Sequence, residues 1–267
     1  MSCSDASLSA SVPRRGHSVR VSLAWIFKIA FLALVLLCFG CATEEEELPK
    51  PPPEVFEPEP MPDPTEPPEN ELVIVFLGDS LTAGYGVDED EAFPNLVERS
   101  LREADYSVRV INGGVSGDTT AGGLRRLSWL LRQNPDVVMV ALGGNDGLRG
   151  LDLEASESNL RLIIEQTQEA GAKVLLAGML MPPNYGADYT DRFAAIYPRL
   201  AEDYVVALLP FLLEGVAGDP ELNQPDGIHP TPEGQSKVAE TVLEAIKPLL
   251  DNVKEEQAAE APTDVLP

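Results

Sequence analysis

The sequence predicts an α/β fold: a three-layer α/β/α sandwich around a five-stranded parallel sheet, with the flavodoxin-like strand order 2-1-3-4-5. Three observations carry this. Between Leu72 and Leu250, apolar strand-like runs alternate with amphipathic helical stretches. The first run, Val73-Ile74-Val75-Phe76-Leu77, contains no polar residue, which suits a strand covered on both faces. The links between runs are short, and βαβ units of this kind build right-handed crossovers and a parallel sheet.

The expected strands are Leu72–Leu77, Val108–Asn112, Val137–Leu142, Val174–Ala177 and a short Val205–Leu209. The expected helices are Pro94–Ala104, Thr119–Gln133, Leu153–Gly171, Asp191–Glu202 and a last one over Pro232–Leu249. From Asp251 onward the chain is rich in Glu, Ala and Pro and is expected to be a disordered tail.

The first strand stops abruptly at Gly78-Asp79-Ser80. Glycine permits a sharp turn there. Ser80 then sits at the carboxyl end of a core strand, where open α/β sheets bind ligands. It is a candidate nucleophile, or simply a helix N-cap. Three further loops should reach the same edge. They are Asn112-Gly113-Gly114-Val115-Ser116-Gly117-Asp118-Thr119-Thr120, Leu142-Gly143-Gly144-Asn145-Asp146-Gly147 and Asp226-Gly227-Ile228-His229-Pro230. Each alone reads as turn chemistry. Together, beside a serine, they form a constellation with one imidazole: His17 precedes the core, so His229 is the core's single histidine.

These blocks resemble those of the SGNH (GDSL) hydrolases, and most closely the bacterial thioesterase I / lysophospholipase / arylesterase group. The resemblance extends to Leu148-Arg149-Gly150 and to Pro182-Pro183-Asn184-Tyr185-Gly186. It implies the SGNH hydrolase fold and a serine esterase. Ser80 is then the nucleophile and His229 its base. Asp226, three residues earlier, holds the other ring nitrogen and fixes the tautomer. The oxyanion hole implied by the family is the backbone N–H of Ser80, the backbone N–H of Gly117 and the side chain of Asn145. A small residue at 117 lets the backbone approach the oxyanion. Asp79 and Asp146 are expected to satisfy loop amides, and Arg149 to be a surface residue rather than a substrate contact.

Composition narrows the remaining classes. A hydrophobic share of 44% is ordinary for a globular domain, but the formal net charge is −25. That is wrong for nucleic acid, which demands a basic face, and wrong for anionic lipid headgroups. The charge is uneven: about −14 lies in the core, about −10 in residues 42–71, about −4 in the tail and about +3 in the leader. Cys3, Cys38 and Cys41 all precede the core, which leaves it without a disulfide or a thiolate metal site. With one histidine there is no multi-histidine zinc site either. No metal and no cofactor are expected, and a monomer is expected.

The leader carries Arg14, Arg15 and Arg20, then an apolar stretch interrupted at Lys28. The uninterrupted part, Ile29–Phe39, has the length of a signal-peptide core and is short for a membrane span. Gly40-Cys41 after such a core resembles the lipobox of bacterial lipoproteins, with Cys41 as the lipidated residue. Cys38 and Phe39 stand where a lipobox usually has Leu and a small residue. The alternatives are an uncleaved signal anchor or a signal peptide cut elsewhere, and all three export the domain. Residues 42–71 hold ten of the 24 prolines and read as a disordered acidic tether.

The reading is therefore an exported serine esterase acting on a small-molecule or lipid ester (aryl esters, lysophospholipids, thioesters) through an acyl-enzyme. It is attached to the membrane through its lipidated N-terminus as an outer-membrane lipoprotein facing the periplasm, or otherwise periplasmic or secreted. The rivals are an O-acetylesterase acting on cell-wall or plant carbohydrate, and a non-catalytic tethered binding domain.

Overall fold

The computed structural model describes residues 71–260. The expected leader with Cys41, the tether as far as Asn70 and residues 261–267 lie outside the described residues.

Strand β1 (Leu72–Gly78) is buried at every position, and Ile74, Val75, Phe76 and Leu77 are wholly inaccessible. That explains its unbroken apolar run: helices cover both faces. A short helix α1 (Ser80–Ala83) follows at once, then α2 (Phe93–Glu103), β2 (Val108–Gly114), α3 (Thr120–Leu131) and β3 (Val137–Ala141). The second half comprises α4 (Gly144–Leu148), α5 (Leu153–Glu169), β4 (Lys173–Ala177), α6 (Ala187–Ala194), α7 (Ile196–Tyr204), β5 (Ala207–Leu209) and α8 (Pro232–Glu260).

The five strands form one sheet in the order β2-β1-β3-β4-β5, and every pairing is parallel. The first crossover moves toward β2 and the next three move the opposite way past β1. Right-handed connections therefore send α2 to one face and α3, α5 and α7 to the other. Helix α8 returns to pack on α2 and closes the first face. Phe93, at the start of α2, meets Phe76 edge-on with ring centroids 5.6 Å apart, which fixes that helix on the sheet.

Register decides where chemistry can occur. Gly78 lies level with Gly114 on one side and Ala141 on the other, and Ala177 lies level with Leu209. The loops that leave β1, β2, β3 and β4 therefore open at one edge of the sheet.

The structure corrects the sequence reading in three places. The helix expected over Asp191–Glu202 is two, α6 and α7, separated at Ala195. Pro198 has no N–H to give the carbonyl of Ala194, so the ladder breaks there. The last strand starts at Ala207, because Val205 caps α7 in the left-handed region at φ 51°. The stretch expected to be tail from Asp251 is helical over its first ten residues, since α8 runs on to Glu260. Val253 remains buried, Tyr106 donates to Asp251 at 2.8 Å, and on the helix end Glu256 accepts from Lys173 at 2.7 Å and Gln257 donates to Asp136 at 2.8 Å. These partners are distant in sequence, so local composition gave no sign of them. Among the described residues, no helix is long and apolar enough to cross a membrane.

Candidate active site

Ser80 is the first residue of α1, immediately beyond β1. The cap of that helix is Asp79 rather than the serine: Asp79 Oδ1 accepts the N–H of Leu81 at 3.0 Å. This leaves the Ser80 hydroxyl free for another partner, and its Oγ lies 2.9 Å from His229 Nε2. His229 Nδ1 lies 2.7 Å from Asp226 Oδ2. The carboxylate requires a donor, so Nδ1 carries the hydrogen and Nε2 presents its lone pair to the serine. Asp226 Oδ1 accepts the backbone N–H groups of Ile228 and His229 at 2.9 and 3.0 Å. The Ile228 N–H, then the His229 ring and its backbone N–H, hold Asp226 down to about 2, so it stays anionic across the working range.

Two residues that sequence reasoning missed lie against His229, one at its ring and one at its backbone. The Tyr85 ring lies 4.6 Å from that of His229, centroid to centroid. Gln224 Nε2 donates to the carbonyls of Tyr85 and Pro230 at 2.7 and 3.0 Å, while its backbone N–H bonds the His229 carbonyl at 2.7 Å. Gln224 thus ties the histidine loop to the serine loop. Its two-residue separation from Asp226 was the one local hint.

Gly117 and Asn145 reach the same cavity as Ser80 and His229. Gly117 has φ +79°, a conformation that favours glycine. A Cβ there would stand 3.4 Å from Arg149 Nη2, an ordinary contact. Within the protein itself, the requirement for glycine at 117 is therefore conformational. Asn145 lies on α4, and its Nδ2 donates to Asp79 Oδ2 at 3.1 Å. The loop before it turns at Gly143, φ +112°, where a Cβ would run into the Tyr197 hydroxyl. That buried hydroxyl donates to the Leu142 carbonyl at 3.0 Å. Tyr189 and Tyr185 donate to the carbonyls of Gly147 and Leu148 at the far end of α4, at 3.1 and 3.0 Å.

Asp79 and Asp146 bind loop groups, as expected. Asp146 accepts from Thr120 N, Thr120 Oγ1 and Ser156 Oγ at 2.9, 2.6 and 3.0 Å. Arg126, absent from the sequence reading, spans two blocks: Nε to Asp118 at 2.7 Å and Nη2 to the Gly78 carbonyl at 2.8 Å. Nothing in the Arg125-Arg126 pair marked it from sequence. Arg149 is exposed, but its Nη2 donates to the Gly117 carbonyl at 2.9 Å and approaches Asn145 Oδ1 at 3.4 Å.

The serine opens on a cavity of about 680 Å³. Its walls are largely apolar, with Leu148, Met179, Leu180, Met181, Phe211 and Ile228 among them. The Pro182–Pro183 segment borders it. Among the described residues, no group of three or more His, Cys, Asp or Glu side chains is placed to hold a metal ion.

The sequence model of the GDSL-like lipase/acylhydrolase family matches residues 76–237, from within β1 into α8. The chain belongs to that family. It is 46% identical to an arylesterase of Vibrio mimicus over 174 residues, covering 65% of this chain and 87% of that one. It is 41% identical to thioesterase 1/protease 1/lysophospholipase L1 of Escherichia coli K12 over 180 residues, covering 67% and 85%. Among solved structures it is similar to the psychrotrophic esterase EstA from Pseudoalteromonas sp. in a form inhibited by monoethylphosphonate. That match has a TM-score of 0.65 and 34% identity, and covers 68% of this chain and all of the other. The five-stranded parallel sheet expected from sequence is the one found, and the similarity to EstA covers the whole of that chain.

Asp79 is the strained member of the site. Burial pushes its carboxyl up to about 6, against the lowering effects of the Leu81 N–H, the Asn145 amide and His229. In this GDSL hydrolase the folded chain therefore holds a proton between pH 3.8 and about 6 that the unfolded chain has released. The stability this group contributes is fully present below 3.8 and is lost as pH rises through about 6. The thermal midpoint of the wild type should fall relative to that of Asp79→Asn between about pH 4 and 6.5, measured on both proteins in the same buffers. A difference that stays constant, or runs the other way, contradicts the assignment.

Proposed function

We propose that this ester hydrolase works through an acyl-enzyme on Ser80. The observation that supports it most is the 2.9 Å contact of Ser80 Oγ with His229 Nε2, in line with the 2.7 Å contact to Asp226. The Ser80 proton passes to His229 Nε2 as Oγ attacks the ester carbonyl carbon. Asp226 stabilises the imidazolium without taking a proton. The oxyanion is received by the N–H groups of Ser80 and Gly117 and by the Asn145 amide. The carbon–oxygen bond to the alcohol then breaks, and His229 returns the proton to the departing alkoxide. Water repeats the sequence on the acyl-enzyme and frees Ser80.

The apolar cavity favours an acyl chain over an acetyl group. Each methylene it removes from water contributes about 0.8 kcal/mol. Aryl esters, lysophospholipids and thioesters are the substrate classes we infer, from the named activities of the relatives. We further propose that the domain is exported and held in the cell envelope through Cys41, a reading that rests on the leader sequence alone.

Three outcomes are expected. Ser80→Ala and His229→Ala should each lower turnover by about 10³-fold or more with the fold intact, and the double variant should be little worse than either, because triad members act as a unit. Near-normal turnover in His229→Ala sinks the assignment. On p-nitrophenyl esters, kcat/KM for octanoate should exceed that for acetate by at least about 10-fold. A preference for acetate, with turnover of acetylated xylan, would instead favour the carbohydrate O-acetylesterase. Membrane fractionation of wild type and Cys41→Ser should show membrane attachment of the wild type alone, with a mature N-terminus at Cys41. Equal membrane partition of both would indicate an uncleaved anchor.

A further inference from the structure

We propose that Arg149 is a positioning residue of the oxyanion hole: its guanidinium holds the Asn145 carboxamide and the Gly117 peptide in the orientation the developing oxyanion needs. This rests on the ester-hydrolase reading above.

A carboxamide can lie two ways, related by half a turn about its terminal bond, and its own covalent structure does not choose between them. Here the choice is electrostatic. Asn145 Nδ2 faces the Asp79 carboxylate at 3.1 Å, and Oδ1 faces the Arg149 guanidinium at 3.4 Å. Turned over, the amide would set its oxygen against a carboxylate and its NH₂ against a cation. Both contacts would become repulsive. Asp79 precedes Ser80 in the chain, so the observed orientation keeps the NH₂ on the serine side. One of its two hydrogens is used by Asp79, and the second remains for an oxyanion.

The same Arg149 nitrogen donates to the Gly117 carbonyl at 2.9 Å. That bond fixes the peptide plane following Gly117, a residue already held at φ +79°. One nitrogen thus reaches both donor-bearing segments outside α1. The link to Asn145 is local, four residues back from the C-cap of α4, whereas the link to Gly117 spans 32 residues. Among the described residues, Arg149 has no carboxylate within ion-pair distance. A surface ion pair therefore does not account for its placement. Neither is it among the residues that line the apolar cavity.

The test compares kcat, KM and thermal midpoint for wild type, Arg149→Met, Arg149→Lys, Asn145→Ala and the Asn145→Ala/Arg149→Met double variant, with p-nitrophenyl butyrate as substrate. Loss of an entire oxyanion donor costs about 10²–10³ in kcat, and misdirecting one should cost less. Arg149→Met should lower kcat about 10-fold with KM within about twofold and the midpoint unchanged, whereas Arg149→Lys should recover part of the loss. On the Asn145→Ala background the same Met substitution should cost less than about 3-fold, because the amide it orients is gone. An equal loss on both backgrounds, an unchanged kcat, or a change confined to KM overturns the proposal. If the Met variant loses its fold, Arg149→Lys, which keeps the charge at an exposed position, decides by the same comparison. Turnover by the wild type is the control that separates failure of this inference from failure of the ester-hydrolase reading.

Discussion

Parallel pairing at the carboxyl end of β1 is the constraint on which the site depends. Gly78 is in register with Gly114 and Ala141, and its carbonyl accepts the N–H of Val115 at 3.1 Å. Those pairs set the loops bearing Ser80, Gly117 and Asn145 side by side before any side chain is considered. A slip by one residue would move Ser80 about 3.3 Å along the strand and turn each β1 side chain to the other face. With Val75, Phe76 and Leu77 inaccessible on a doubly covered strand, such a slip is opposed by the whole core. The geometry of the candidate site is thereby tied to burial, the largest favourable contribution to folding.

The second layer of organisation is electrostatic and passes through Asp79. One carboxylate caps α1, holds the Asn145 amide and lies within the field of His229. Burying it raises its pKa to about 6, so ionising it is costly to the folded chain. The same carboxylate is the acceptor that the Asn145 amide faces. Arg126 and Arg149 complete the frame from outside, each bonding a backbone carbonyl next to a donor-bearing loop. Asp226 is the opposite case. It is exposed, relieved by two backbone N–H groups, and held low at about 2.

The strongly acidic surface and the apolar cavity serve different ends. Net charge governs encounter and solubility rather than fold. In the proposed function the cavity selects the ester, through the methylene groups it shields from water. Met179 and Met181 stand in its wall, and methionine is an unbranched side chain suited to irregular apolar gaps. This fits a hydrolase that accepts a range of acyl groups better than one built around a single small acyl group.

The sequence alone determined the sheet, its order and the chemical groups at its edge. Unbroken apolar runs need burial on both faces, and right-handed crossovers leave few topologies. A serine, a single core histidine and an aspartate three residues before it leave few ways to build a triad. Local signals did not reach what depends on distant partners. The α8 extension is held by Asp136 and Lys173, far away in the chain. The break before α7 was legible in Pro198, but α1 and α4, four and five residues long, are too short to show a period. The same holds for Gln224, Arg126 and Arg149, whose roles lie in the carbonyls they reach rather than in their neighbours in sequence. Tertiary structure alone made an exposed arginine part of the site, because only folding brings Gly117 and Asn145 within reach of one guanidinium nitrogen.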